Sequence, residues 1–386
     1  MSVEKSKKAI YVASIFTHFC AFHVPFLRML QEEGFEVWAA ARTTNETDRK
    51  ELETMGIKCI EIPFSRSPYS VSNIKAYRMM RKLFRENHFE LVHVHTPAAA
   101  FIARAAARGT GQGKVIYTAH GFHFYKGAPL KNWLIYYTAE KIARKWTDVL
   151  ITINKEDFEN GKKLGYEERR SLFLTYGVGV DIKRYQLSEE VRVATRKMLG
   201  IDEECVVFIC IGELNKNKNQ KWLLEVWKEL EDGNRMLLIV GDGKLRNELE
   251  AFVKDNSIEG VKFLGFREDI PELLAASDVL VSVSKREGLP KNVMEAMAAG
   301  KPVIGTNVRG TRDLVKHNEN GMLIDLKKRH NLASAVKTLS SSKILRASYA
   351  KKARDLIEEY TVQQVLDEMS MIYSLENKAT QLSISS

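Results

Sequence analysis

The chain has 386 residues, 45% of them hydrophobic and 28% charged, the balance of an ordinary globular protein long enough for two domains. No apolar run reaches the ~18 residues that span a bilayer, and the first apolar stretch is too short and too polar for a signal peptide, so any membrane contact is expected to be peripheral. The net charge of +10 lies wholly in the first half: up to position 185 there are 29 basic and 19 acidic residues, and beyond it 30 of each. Such a one-sided field attracts a polyanion, an anionic membrane or a phosphorylated acceptor. Cys20, Cys59, Cys205 and Cys210 form no CxxC pair and read as reduced thiols of a cytosolic protein.

In chain order the pattern predicts strands at Lys8–Ser14, Phe35–Ala41, Ile57–Ile62, Leu91–His95, Lys114–Ala119 and Val149–Ile153. Helices are predicted between them at Pro25–Glu33, around Asp48–Met55, at Ser72–Arg85 with Ser72 as N-cap, at Ala98–Ala107 and at Trp133–Trp146. After residue 200 the alternation restarts, with strands at Val206–Ile211, Met236–Val240, Val261–Leu264, Val279–Val283 and Val303–Gly305. The helices between them are Gln220–Leu230, Leu245–Lys254, Ile270–Ala275 and Lys291–Ala299. This is an α/β chain of two doubly wound, Rossmann-like domains, 1–187 and 188–361. A helix near Val362–Leu375 is expected to cross back to the first domain, and the polar tail after Asn377 is expected to fray. Ligands of such sheets bind beyond the carboxyl ends of the strands, here expected in a cleft between the domains.

The sharpest chemical signal is SKREGLPKNVMEAMAAG at Ser284–Gly300, a loop that follows a strand and opens a helix. Backbone N–H groups at such a helix start suit a phosphate. Leu289, Asn292 and Val293 belong to this candidate donor contact. Glu287 in the loop and Glu295 on the helix, seven residues between them, are placed to bracket a sugar and a ribose. Gly241 and Gly243 form a short turn that lets the backbone approach a ligand, and Phe266 with Arg267 follows a strand where a nucleobase would border it. His120 ends the Lys114–Ala119 strand and can hydrogen-bond a sugar hydroxyl. Thr17, His18, His95 and Lys126 are candidate acceptor contacts, although for His18 and His23 a purely structural role is favoured. No histidine–carboxylate group has metal-ligand spacing and the donor region lacks a DxD pair, so no metal and no cofactor is expected.

The E-(seven residues)-E spacing followed by AMAAGKPVI resembles the retaining family 4 glycosyltransferases of the GT-B fold. The resemblance covers nearly the whole chain: LVHVHTP at Leu91–Pro97, TAHGFHF at Thr118–Phe124, IGELNKNKN at Ile211–Asn219, VGDGKL at Val240–Leu245, VRGTRDLV at Val308–Val315 and GMLID at Gly321–Asp325. It implies a metal-independent transfer of a hexose or N-acetylhexosamine from a nucleotide diphosphate sugar, UDP, with retained configuration. By that resemblance Glu295 holds the donor ribose, Lys218 the diphosphate, and Glu287 and His120 the donor sugar. The bacterial capsule, exopolysaccharide and lipid-linked oligosaccharide branch is the nearest in pattern, which implies a saccharide acceptor on polyprenyl diphosphate and a place on the inner face of the cell membrane. Two departures stand out. Glu213 stands where many members carry Arg, so either another basic residue, Arg267, Lys291 or Lys216, substitutes or the diphosphate is handled differently in this branch, and Ser14–Phe19 replaces a Gly-Gly loop with bulkier residues expected to shape an acceptor pocket.

Two basic helices support the membrane expectation. Ser72–Arg85 carries Lys75, Arg78, Arg81, Lys82 and Arg85 beside Ile74, Tyr77, Leu83 and Phe84. Lys131–Trp146 carries Lys131, Lys141, Arg144 and Lys145 beside Trp133, Tyr136, Tyr137 and Trp146. The rival readings are a nucleotide-sugar epimerase of the same architecture, a non-catalytic sugar-nucleotide binder, and a nucleic-acid-binding protein. No recognisable nucleic-acid module is present, and nucleic acid is not an expected partner.

Overall fold

Two parallel sheets organise the molecule, a computed structural model that describes residues 7–65, 67, 70–230 and 233–375. The first contains β1 (Lys8–Ile15), β2 (Glu36–Arg42), β3 (Lys58–Glu61), β4 (Leu91–His95), β5 (Lys114–Ala119), β6 (Val149–Thr152) and β7 (Leu172–Leu174), in the order β3-β2-β1-β4-β5-β6-β7. The second contains β8 (Val206–Ile211), β9 (Arg235–Val240), β10 (Val261–Gly265), β11 (Val279–Ser282), β12 (Val303–Thr306) and β13 (Gly321–Ile324), in the order β10-β9-β8-β11-β12-β13. Helices cover both faces of each sheet, so the strands are apolar on both sides and read as continuous runs; β4 and β5 are buried at every position. In each sheet the strand order reverses once, between β1 and β4 and between β8 and β11. At such a switch point the loops leaving two neighbouring strands part to opposite faces and open a crevice.

Contacts divide the chain into one unit reaching Val178 and resuming at Val362, and a second from Gly179 to Thr361. The stretch 179–187, read from sequence as the end of the first domain, packs into the second: Val180, Ile182 and Tyr185 lie in its core with Leu280 and Val293. Helix Val362–Ser374 belongs to the first unit, where Val365, Met369 and Ile372 join the core with Tyr11 and Leu27. The carbonyls of Ile372 and Tyr373 in its last turn, and of Leu375 just beyond it, accept hydrogen bonds from the buried Lys114 ammonium, a cation at the negative end of the helix dipole. The polar tail after Asn377 lies outside the described residues.

Several local expectations change. The cap of helix Ser72–Glu86 is Val71, and Ser72 is already helical, its hydroxyl 2.9 Å from that of Ser70. The predicted loop after β1 is a short helix, Thr17–Phe22. The predicted helix Trp133–Trp146 is a sequence of short pieces, π-helical over Trp133–Tyr137, α-helical over Thr138–Ala143 and 3₁₀ over Arg144–Trp146. No described helix is long and apolar enough to cross a membrane.

Candidate functional site

In the second unit the candidate donor residues gather at the switch point. The loop after β8 brings Lys218 to the loop after β11, where its ammonium lies 2.7 Å from a Glu287 carboxylate oxygen. The two loops are tied together by their backbones: Lys285 N–H donates to the Asn217 carbonyl at 2.8 Å, and the Asn217 side chain donates to the Arg286 carbonyl at 3.0 Å. Gly212 gives the Lys218 stem its path, because a Cβ there would stand 3.2 Å from Lys218 Cε. A third loop closes on them. Arg309 Nε donates to the Glu287 carbonyl at 3.2 Å, and a Cβ on Gly310 would lie 2.0 Å from the Gly288 carbonyl oxygen. Glu287 thus has the Arg309 guanidinium on its carbonyl and the Lys218 ammonium on its carboxylate.

Glu295 sits on helix Lys291–Ala298, whose N-cap is Pro290. It is buried and accepts a 2.8 Å hydrogen bond from the Tyr185 hydroxyl, with Lys291 Nζ 3.8 Å away. Burial raises its carboxyl above the ordinary glutamate value, partly opposed by Lys291 and by the Tyr185 hydrogen bond. The pH consequence has a definite sign. A carboxyl that is easier to protonate in the fold than in the unfolded chain stabilises the fold below its ordinary value, and that contribution is lost as pH rises through the raised native value. Glu295→Gln is therefore expected to raise the melting temperature at neutral pH, with the gain vanishing on acidification below the ordinary glutamate value, while weakening nucleotide binding. Thermal melts across pH beside nucleotide titrations check this, and a neutral-pH loss of stability would count against it.

The other predicted donor residues divide. Asn292 donates to the Ile211 carbonyl at 2.8 Å and keeps a buried Oδ1 without a partner. The Val293 side chain is core and Leu289 is packed against that core, so a ligand contact there would fall to their backbones. Gly241 and Gly243 are required by packing: a Cβ would meet the Gly212 oxygen at 2.2 Å and the Leu214 oxygen at 2.5 Å. Phe266 is 72% exposed after β10, an outlying aromatic of the kind a base stacks on. Arg267 is clamped by Asp269, with Nε 2.7 Å from Oδ1. Glu213 is exposed, as is Lys216.

In the first unit the switch point holds imidazoles. His18 and His23 follow β1, His95 ends β4 and His120 follows β5, and one ring nitrogen from each lies within 4.8 Å of the others. His95 Nδ1 is 3.2 Å from His120 Nε2, and His23 Nε2 is 3.2 Å from His18 Nε2. Ser14 N–H and hydroxyl bond Thr96 Oγ1 at 3.0 and 2.8 Å, fixing the β1 loop to the β4 loop. His93 lies behind, one nitrogen 2.8 Å from the Tyr373 hydroxyl and the other 2.7 Å from that of Thr118. Burial disfavours the charged form of His23, His93, His95 and His120. It lowers His93 to about 3 and His120 to about 4, and drives His23 and His95 well below the ordinary value with help from neighbouring imidazoles. Sequence spacing concealed this cluster, because its members come from three strand ends.

Thr17 and His18 also line a cavity of about 900 Å³. Its walls are mainly apolar, built by Phe22, Ile74, Phe101, Ile102, Ile135 and Tyr136. Thr17 spends its hydroxyl on Asp48 at 2.5 Å, and Lys126 lies apart, exposed, with its backbone N–H on Glu156. Val71, Ile74 and Ile135 of the cavity lining are exposed aliphatics, as are Leu130, Leu134 and Ile142 of the segment that carries Ile135. Of the aromatic residues singled out by sequence, Tyr77, Trp133, Tyr136 and Tyr137 pack against the core, Tyr77 and Tyr136 also lining the cavity, and Phe84 is part of the core.

Comparison with known proteins agrees with both halves. Residues 10–154 match the glycosyl transferase 4-like family, and residues 191–356 match the glycosyl transferases group 1 family. EpsD of Bacillus subtilis, which bears a glycosyltransferase name, is 36% identical over 378 residues, 96% of this chain and 97% of that one. The UDP-Gal:alpha-D-GlcNAc-diphosphoundecaprenol alpha-1,3-galactosyltransferase of Escherichia coli is 29% identical over 309 residues, 78% of this chain and 80% of that one. Among solved structures, HepE of Anabaena in complex with UDP and glucose superposes with a TM-score of 0.79 at 20% identity, over 95% of this chain and 99% of that one, a likeness of fold.

Proposed function

Because this chain belongs to the family 4 glycosyltransferases of the GT-B fold that serve bacterial polysaccharide synthesis, we propose that it moves a hexose or N-acetylhexosamine from a UDP-sugar, with retained configuration, to a saccharide carried on polyprenyl diphosphate. The observation that carries this reading is the meeting of Lys218 and Glu287 at 2.7 Å on the switch point of the second unit, with Glu295 on the helix that follows. Lys218 exchanges its carboxylate for the donor diphosphate, so a side chain rather than a metal ion meets the charge on the donor side. Glu295 takes the ribose, and Glu287 orients the sugar. The bond from the sugar's anomeric carbon to the diphosphate oxygen breaks, and its electron pair leaves with UDP. The acceptor hydroxyl bonds that carbon on the same face and passes its proton to a diphosphate oxygen. Charge grows on the leaving diphosphate as this happens, which is where a fixed cation lowers the barrier.

The apolar cavity of the first unit supports the acceptor class. A polyprenyl chain offers no hydrogen-bonding group, and a mainly hydrocarbon wall suits it. Exposed Val71, Leu130 and Leu134 would enter the membrane interface from which such a lipid comes. Nearby Lys75, Arg78, Lys131 and Lys141 would add roughly 1 kcal/mol each at most against anionic headgroups. We place the enzyme on the inner face of the cell membrane.

The test is UDP release from a panel of UDP-sugars with and without a polyprenyl-diphosphate-linked saccharide. Release that depends on the acceptor with one donor supports the proposal. Acceptor-independent turnover would favour the epimerase reading, and tight UDP binding without turnover the non-catalytic one. In the same assay Ile74→Glu and Ile135→Glu are expected to raise the acceptor KM about tenfold, roughly 1.4 kcal/mol of apolar contact, and to leave the donor KM unchanged. Equal effects on a short-chain, water-soluble acceptor would move the lipid chain out of this cavity.

A further inference from the structure

We propose that His18, His23, His95 and His120 bind a divalent first-row transition ion, with Zn²⁺ as its representative, at the carboxyl ends of β1, β4 and β5. One ring nitrogen from each histidine converges within 4.8 Å of the others, a compact four-nitrogen set. Imidazole nitrogen is the donor that zinc, copper, nickel and iron prefer, and it binds them in its neutral form. The group contains no carboxylate, which sets it apart from the oxygen cages of Mg²⁺ and Ca²⁺.

A second observation points the same way. His95 is 1% exposed, and its Nε2 has no hydrogen-bond partner. With Nδ1 engaged by His120, either tautomer strands a polar nitrogen in the interior, as a lone pair or as an N–H. A cation accepts that lone pair. His93 is differently used: both of its nitrogens are bonded, to Tyr373 and Thr118, so it backs the cluster rather than joining it. The rings are also held in place. The Tyr11 ring stacks on His95 at 5.2 Å, His23 lies 4.1 Å from His95 between ring centres, and the Ser14–Thr96 bonds lock the two loops. His18 and His120 are only half-buried, so water or an anion has access to complete the shell. This inference does not rest on the transferase reading, and it concerns the first unit, whereas the donor diphosphate is assigned to Lys218 in the second.

The test uses the full chain stripped with a chelator and titrated with Zn²⁺ by calorimetry, then with Co²⁺ by absorbance, and with Mg²⁺ for contrast. The expected result is one saturable Zn²⁺ equivalent per chain, Co²⁺ bands without thiolate charge transfer, and no Mg²⁺ binding. His23→Gln and His95→Gln are expected to weaken Zn²⁺ binding roughly 100-fold, since even residues that merely support a metal ligand cost 10–100-fold. His18→Gln, on the half-buried rim, keeps the test decisive where the buried variants fail to fold, and circular dichroism distinguishes the cases. The proposal is overturned if Zn²⁺ fails to bind, if binding persists unchanged in folded His18→Gln and His95→Gln, or if Cys20→Ser or Cys59→Ser abolishes it.

Discussion

Lys218→Ala is expected to lower kcat/KM by about 10²–10³, the effect of removing one preorganised group that meets charge developing in a transition state. The structure adds a way to separate this from general damage, because Lys218 spends its charge on Glu287 at 2.7 Å before a diphosphate arrives. The two partners should therefore fail in different ways. Without Lys218, UDP binding weakens along with transfer, while binding of uridine, which has no diphosphate, holds. With Glu287→Gln the ammonium loses its resident carboxylate, and a diphosphate no longer competes for it. UDP should then bind at least as tightly as to the native chain while transfer still falls, since Glu287 is assigned to the sugar. Calorimetry with UDP and uridine on both variants, beside steady-state transfer rates, checks the pair. If Glu287→Gln weakened UDP as much as Lys218→Ala, the carboxylate would be a positioning residue for the lysine, and its role at the sugar would be withdrawn.

Much of the architecture was legible because parallel strands buried on both faces must be apolar throughout, and such runs survive in a bare sequence. The Glu287–Glu295 spacing was legible because one loop and one helix carry both residues. What stayed hidden was assembled from distant parts. Tyr185 reaches Glu295 across 110 positions, and it does so because the stretch after Gly179 folds with the second unit rather than closing the first. The histidine cluster joins three strand ends, so spacing along the chain could not show it. Gly241 and Gly243 were read as a turn that lets the backbone approach a ligand; the structure adds a packing reason for them, since the carbonyls of Gly212 and Leu214 fill the space a side chain would need. Sequence also left open which apolar residues face outward. Trp133 and Tyr137 pack inward around Phe124, leaving Leu130, Leu134 and Ile135 exposed, a choice of side that the short broken helix makes and that periodicity does not reveal.

Arg104→Ala is expected to destabilise the first unit by about 3–5 kcal/mol, the usual consequence of removing one member of a buried ion pair. Nothing marks this arginine in the alanine-rich helix Pro97–Ala107, yet it is 0% exposed. Its guanidinium makes two 2.9 Å bonds to the Glu140 carboxylate, a third bond to Thr147 at 3.3 Å, and lies 4.2 Å over the Tyr117 ring. Truncation leaves Glu140 with its charge in the wall of the apolar cavity and no cation to balance it. At about 2–4 °C per kcal/mol for a unit of this size, the melting temperature should fall by roughly 6–20 °C. Pairing Arg104→Met with Glu140→Leu should recover most of the loss, because a hydrophobic pair avoids the desolvation that the ions must offset. Denaturant melts of the two single variants and the double variant close the cycle, and a single-variant loss below about 1 kcal/mol would show that the pair is dispensable. The site would register the same change. Glu140 sits on helix Thr138–Ala143, directly after the turn that carries Ile135 and Tyr136 into the cavity. Loosening that helix shifts the wall on which the acceptor lipid is proposed to lie, so Arg104→Ala should raise the acceptor KM at temperatures where the fold persists, while UDP affinity, proposed to be set in the second unit, should stay as it was.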